Sequence, residues 1–141
     1  MNSYKFTIGL DDVIYINNNI KYEDSIGSGI VSIRDGIATI YNFGMTGGNY
    51  GKGYGRKLLT FIIKYLLENG IKKISIEADG TLVGRDCFDN INLAKFYKRI
   101  LLENNPKNIL IKPRGGSRLS NHLEKRRISR KYISYDLTGE F

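Results

Sequence analysis

The segment Phe43 to Leu59, FGMTGGNYGKGYGRKLL, limits what this 141-residue chain can fold into more than any other stretch. Glycines at 44, 47, 48, 51, 53 and 55 are followed at once by residues spaced as in a helix. Closely spaced glycines let a backbone turn sharply and aim several N–H groups at one point. A helix start adds donors without intrahelical partners and the positive end of a dipole. A strand, such a loop and a helix in series make a site for phosphate, and Lys52, Arg56 and Lys57 add positive charge, solvated surface charge being the other reading of Lys52 and Lys57. A bare strand-to-helix connection would not need glycine at 51, 53 and 55.

The kind of phosphate ligand is narrowed by spacing. A nucleotide P-loop ends in Gly-Lys-Ser/Thr, whose hydroxyl ligates magnesium. Here Gly51-Lys52 is followed by Gly53, so that hydroxyl is missing and the reading fails. A dinucleotide fingerprint, G-x-G-x-x-G, lacks its third glycine here, since Leu58 stands where one would follow Gly53-Tyr54-Gly55. Glu77 alone, near the distance expected of the ribose-binding acid, speaks for that rival.

The rest of the chain supplies the frame. Tyr4 to Leu10 alternates apolar and polar residues as a half-buried strand does, and Val13 to Ile16 continues in the same style before an Asn17-Asn18-Asn19 turn. Ile30 to Ile33 and Ile37 to Phe43 flank Arg34-Asp35-Gly36, a hairpin signal. From Tyr54 to Asn69 the apolar residues at 58, 59, 62, 63 and 66 mark one broad helical face, closed by Asn69-Gly70. Ile71 to Asp79 returns to strand alternation. A second helix is expected from about Asn90 to Leu102, and the last two strands at Ile109 to Ile111 and Tyr132 to Leu137. Residues 11–29 show no amphipathic helix, and no linker divides the chain, so residues 1–141 are expected to form a single domain.

Composition narrows the partners. One Cys (Cys87) excludes a disulfide framework, and one Cys with one His (His122) cannot make a zinc site, so no metal is expected. No apolar run reaches the roughly 20 residues that span a bilayer, and the N-terminal residues lack the order of a secretory signal. The expectation is a soluble cytoplasmic protein without a membrane partner. The net charge of +8 is uneven. Residues 114–131 (RGGSRLSNHLEKRRISRK) carry seven basic side chains against one acidic, a patch that would attract a polyanion or serve as a solvated loop. Residues 77–89 run the other way, with Glu77, Asp79, Asp86 and Asp89 against Arg85.

Two segments then resemble the signatures of the GNAT superfamily of acyl-CoA-dependent N-acyltransferases. That family's pyrophosphate loop reads Arg/Gln-x-x-Gly-x-Gly/Ala, and Tyr50-Gly51-Lys52-Gly53-Tyr54-Gly55 matches it except for Tyr50. Its second signature, Asn-x-x-Ala-x-x-Phe/Leu-Tyr, is matched by Asn90 to Tyr97 with Leu93 in the Ala position. The resemblance covers about Gly29 to Leu137. It implies an α/β (α+β) fold: a mixed, mostly antiparallel twisted sheet with two main helices and splayed central strands. The N-terminal helical region, usually two helices, is reduced here, and Leu101-Leu102 stands where the family commonly has Gly-Phe.

By the same resemblance, acetyl-CoA is the co-substrate, with its pyrophosphate on Gly51 to Gly55 and Arg56. Lys52, Tyr50 and Tyr54 flank that site, Asn90 contacts the pantetheine or caps its helix, and the Met45 N–H polarises the thioester carbonyl. Tyr97 protonates the departing thiolate; packing on the apolar stripe is its other reading. From their place on the strand after the long helix, Glu77 or Asp79 would take a proton from the acceptor directly or through water, and the acidic residues around them favour a cationic amine; a polar loop of solvated carboxylates is the other reading. The expected activity is an N-acetyltransferase moving acetyl directly to a primary amine in a ternary complex, as a monomer or homodimer. The alternative is a catalytically weak GNAT-like module that binds nucleic acid or another polyanion through 114–131.

Overall fold

A computed structural model describes residues 2–49, 51–78, 90–113 and 134–141. Among them are seven strands and two α-helices, the α+β class expected. The chain forms two compact units, Met1–Ile74 and Ser75–Phe141.

The first unit begins with β1 (Asn2–Gly9) and the short β2 (Ile14–Ile16), followed by a 3-10 turn at Tyr22–Asp24, β3 (Ser25–Arg34) and β4 (Ile37–Met45). These strands lie in the order β2-β1-β3-β4, every neighbouring pair antiparallel. A tight β1–β2 hairpin and one 3-10 turn thus occupy residues 11–24, where the sequence shows no amphipathic helix. Arg34 pairs with Ile37 across a two-residue turn in which Asp35 (φ 53°) and Gly36 (φ 77°) are both left-handed. That geometry follows the right-handed twist of the flanking strands, as Asp-Gly forecasts.

Helix α1 (Tyr54–Glu68) buries Leu58, Leu59, Ile62, Ile63 and Leu66 completely and packs on β1, β3 and β4. Each such side chain contributes about 1.5–3 kcal/mol by leaving water. Phe6, also fully buried, meets Tyr65 edge-on at 5.4 Å between ring centroids. The helix ends as Asn69-Gly70 predicts. Gly70 is left-handed (φ 84°), the Ile71 N–H donates to the Leu66 carbonyl at 3.0 Å, and the Gly70 N–H donates to that of Leu67 at 3.1 Å. These two bonds satisfy carbonyls that the helix itself leaves open.

β5 (Lys73–Ala78) begins at the end of the first unit and runs into the second. In the second unit β5, β7 (Tyr135–Glu140) and β6 (Asn108–Pro113) lie side by side in that order, and α2 (Asn90–Glu103) packs on β7. β6 and β7 are antiparallel, in register from Asn108↔Glu140 to Pro113↔Tyr135. No helix among the described residues is long and apolar enough to cross a membrane.

Candidate functional site

The end of β4 is shaped by an irregular pairing with β3. Ser28 faces Gly44 and Ile30 faces Tyr41, so Asn42 and Phe43 together oppose the single residue Gly29. This is a β-bulge, and Asn42 absorbs the extra residue with a left-handed φ of 49°. Gly29 is required by closeness: an added Cβ would lie 2.9 Å from the Phe43 ring and 3.5 Å from Ile62 Cδ1 of α1. Two residues further on, Gly27 faces Met45. The Met45 side chain, 7% exposed, folds across Gly27, where a Cβ would meet its Cε at 2.5 Å and the Gly44 carbonyl oxygen at 2.7 Å. The sequence reading missed this bulge. Its signals were an asparagine inside a strand and two glycines in the partner strand.

Thr46 then pins the chain as it leaves the sheet. Its N–H donates to the Ile26 carbonyl at 2.7 Å and its hydroxyl to the Ser25 carbonyl at 2.8 Å. The Asn49 side chain donates to Thr46 Oγ1 at 3.0 Å, closing the 3-10 turn Gly47–Asn49. Beyond it Gly51 (φ 75°) and Gly53 (φ 85°) are left-handed, and an added Cβ at either meets none of the described residues within 4 Å. Glycine is needed here for conformation, since an L residue is strained in that region by about 1–2 kcal/mol.

Gly53 is the N-cap of α1. Among the described residues no side-chain hydrogen bond caps this helix start, and no acidic residue lies in its first turn. The opening N–H groups of a helix have no intrahelical acceptor, and they carry partial positive charge. Gly53, Tyr54, Gly55 and Arg56 therefore present the N–H groups of a helix start, with Gly51, Lys52, Gly53 and Arg56 exposed and Tyr54 and Gly55 half-buried. Met45 ends β4 and residues 51–56 lead into α1, both in the first unit; Tyr50 lies outside the described residues.

Lys57 departs from the expectation that it adds to the phosphate site. Its ammonium lies 2.8 Å from Asp12 Oδ2 and 3.1 Å from the Asp12 carbonyl oxygen, in the β1–β2 turn. The same turn holds Asp11, whose carboxyl is kept below its usual range mainly by the hydrogen bond from the Tyr15 hydroxyl. Tyr15 is correspondingly raised, because Asp11 holds its proton.

In the second unit, Glu77 shares the half-buried face of β5 with Ser75, whose hydroxyl accepts from Thr138 Oγ1 at 3.3 Å. Ile74, Ile76 and Ala78 take the fully buried face, the alternation read from the sequence. Asn90 and Tyr97, seven residues apart, lie on one face of α2 and are each 1% exposed, alongside Ala94, Ile100 and Leu101. The small residue of this face is Ala94, one place after the position where the family signature has alanine, and Leu93 is half-buried. Asp79, Asp86, Asp89 and the basic segment 114–131 lie outside the described residues.

No family model matches the chain, and no curated protein matches it. Solved structures do. An IAA acetyltransferase from Bacillus cereus superposes with a TM-score of 0.54 at 16% identity, covering 91% of this chain and 76% of that one. A Bacillus subtilis acetyltransferase in complex with CoA gives 0.58 at 13% identity, covering 86% and 73%. The PaiA N-acetyltransferase from Thermoplasma acidophilum in complex with coenzyme A gives 0.53 at 12% identity, covering 91% and 59%. At these identities the likeness is one of fold.

Proposed function

We propose that this chain, which has the GNAT fold, is an acetyl-CoA-dependent N-acetyltransferase acting on a primary amine. The observation that carries the reading is the glycine loop. Left-handed Gly51 and Gly53 lead from a bulged strand into a helix start without a side-chain cap. A diphosphate would satisfy those N–H groups and the dipole together, in charge-assisted bonds about twice as strong as neutral ones. Fold neighbours that hold CoA support the choice of ligand.

Within this reading Gly51, Gly53, Gly55 and Arg56 hold the pyrophosphate, with Lys52, Tyr50 and Tyr54 flanking it. Asn90 contacts the pantetheine arm. The Met45 N–H donates to the thioester carbonyl oxygen as negative charge develops there. The acceptor amine, deprotonated by Glu77 or Asp79, attacks the carbonyl carbon; the C–S bond breaks, and Tyr97 gives its proton to the thiolate. The Asn-x-x-x-x-x-Phe-Tyr spacing on α2 supports the role of Tyr97. A cationic amine suits the carboxylates at 77, 79, 86 and 89.

Thermal unfolding with and without acetyl-CoA tests the binding half directly. At a concentration 100 times Kd, binding adds about 2.7 kcal/mol of stability, a rise of several degrees in Tm for a chain of this size. An unmoved Tm at saturating acetyl-CoA would sink the reading.

A further inference from the structure

Lys57 stands in the first turn of α1, and its N–H donates to the Gly53 carbonyl at 3.1 Å. Its side chain reaches residue 12. There one ammonium meets two oxygens of the same residue, Asp12 Oδ2 at 2.8 Å and the Asp12 carbonyl at 3.1 Å. Asp12 is itself left-handed (φ 68°), a region that aspartate accepts in turns more readily than most residues. Hydrogen bonds brace the turn around it. The Asp12 N–H donates to the Gly9 carbonyl and the Gly9 N–H to that of Val13, each at 2.9 Å. Asp11 accepts from the Val13 N–H at 3.2 Å and from the Tyr15 hydroxyl. A braced turn therefore receives a cation from the first turn of a helix whose N-terminus has no side-chain cap.

We propose that Lys57 and Asp12 are positioning residues for CoA, an inference that rests on the CoA reading above. Their pair fixes the first turn of α1 and so aims the N–H groups at residues 55 and 56 toward the pyrophosphate. The Lys57 ammonium stays with Asp12 and does not bind phosphate. Hydrogen-bond donors must be held within a fraction of an ångström to favour a bound oxyanion, so a small relaxation of this turn is felt in affinity. The β1–β2 hairpin thus acquires a role at the cofactor end of the fold. A direct phosphate role for Lys57 makes the opposite forecast, because Asp12 would then compete with the ligand.

Calorimetric titration of the full chain with CoA separates the two. The set is wild type, D12N, K57M, K57R and the D12N/K57M double variant. D12N and K57M are each expected to weaken CoA about two- to five-fold, the range an exposed ion pair supports. The double variant loses no more than either single one, and K57R recovers most of the affinity. Amide hydrogen exchange at residues 56–58 in the ligand-free protein is faster in D12N and K57M. Tighter or unchanged CoA binding by D12N overturns the proposal. So does a drop in Tm without change in affinity, which would mark a merely structural pair. If wild type binds no CoA, the CoA reading itself falls and the proposal with it. If wild type binds and D12N matches it, only the proposal fails.

Discussion

Replacing Gly53 by alanine can be matched to a control with almost the same backbone strain. Gly53 has φ 85° and Gly36 has φ 77°, and an added Cβ at either position meets none of the described residues within 4 Å. Neither substitution clashes with a described residue, so both are governed by the left-handed backbone. That strain is about 1–2 kcal/mol for an L residue, a fall of roughly 3–10 °C in Tm for a chain of this length. The two differ in place: Gly36 turns the β3–β4 hairpin, whereas Gly53 is the N-cap of α1. If the loop holds pyrophosphate through its N–H groups, Gly53→Ala also misaims at least one charge-assisted bond. Such a bond is worth about 1.5–3 kcal/mol, or roughly 10- to 100-fold in CoA affinity. Denaturation and CoA titration on both variants decide the matter. Similar stability losses are expected, with CoA binding weakened only in Gly53→Ala. Equal CoA affinities in the two variants would refute the reasoning.

Gly27→Ala is expected to lower stability by about 1–3 kcal/mol on thermal unfolding, because its Cβ would lie 2.7 Å from the Gly44 carbonyl as well as against Met45. Tyr97→Phe lowers turnover in an acetyl-transfer assay while leaving CoA affinity largely intact; turnover equal to wild type would remove Tyr97 from the chemistry. Tyr15→Phe acts on Asp11, whose folded pKa lies below its unfolded value because of the Tyr15 hydroxyl. The stability from that shift is present above the ordinary carboxylate pKa and is lost as pH falls through the lowered one. Removing the hydroxyl should move the Asp11 titration, followed by NMR, back up and flatten stability against pH on the acid side.

Much of this architecture was legible because local chemistry and tertiary packing agree. Asp35, Gly36, Gly70 and the glycines at 51 and 53 sit at left-handed positions that few other residues accept. The five buried positions of α1 are those the 3.6-residue period selects. The β4 bulge escaped because Asn42 interrupts alternation only once, and its partner Gly29 acts through closeness to Phe43 across the sheet. Lys57 has a partner that is illegible in the sequence for a related reason. Its neighbours along the chain are glycines and Arg56, but its partner Asp12 is 45 residues away, joined to it only by the packing of α1 near the β1–β2 turn. In α2 the pattern placed Tyr97, Ile100 and Leu101 on the buried stripe correctly, while Leu93 and Phe96 lie half-buried at its margin. Fold was thus written in turns and periods, whereas partners far apart in sequence were not.

The central claim is acetyl transfer to an amine, and thiol release from acetyl-CoA measures it most directly. Purified protein is incubated with acetyl-CoA and, in parallel wells, a panel of polyamines, amino acids, aminoglycosides and peptide N-termini. The account predicts free CoA that appears only with an amine acceptor, matched mole for mole by N-acetylated product, and strongest with cationic acceptors. Acetyl-CoA that remains intact with every acceptor, or hydrolysis at the same rate without one, would contradict it.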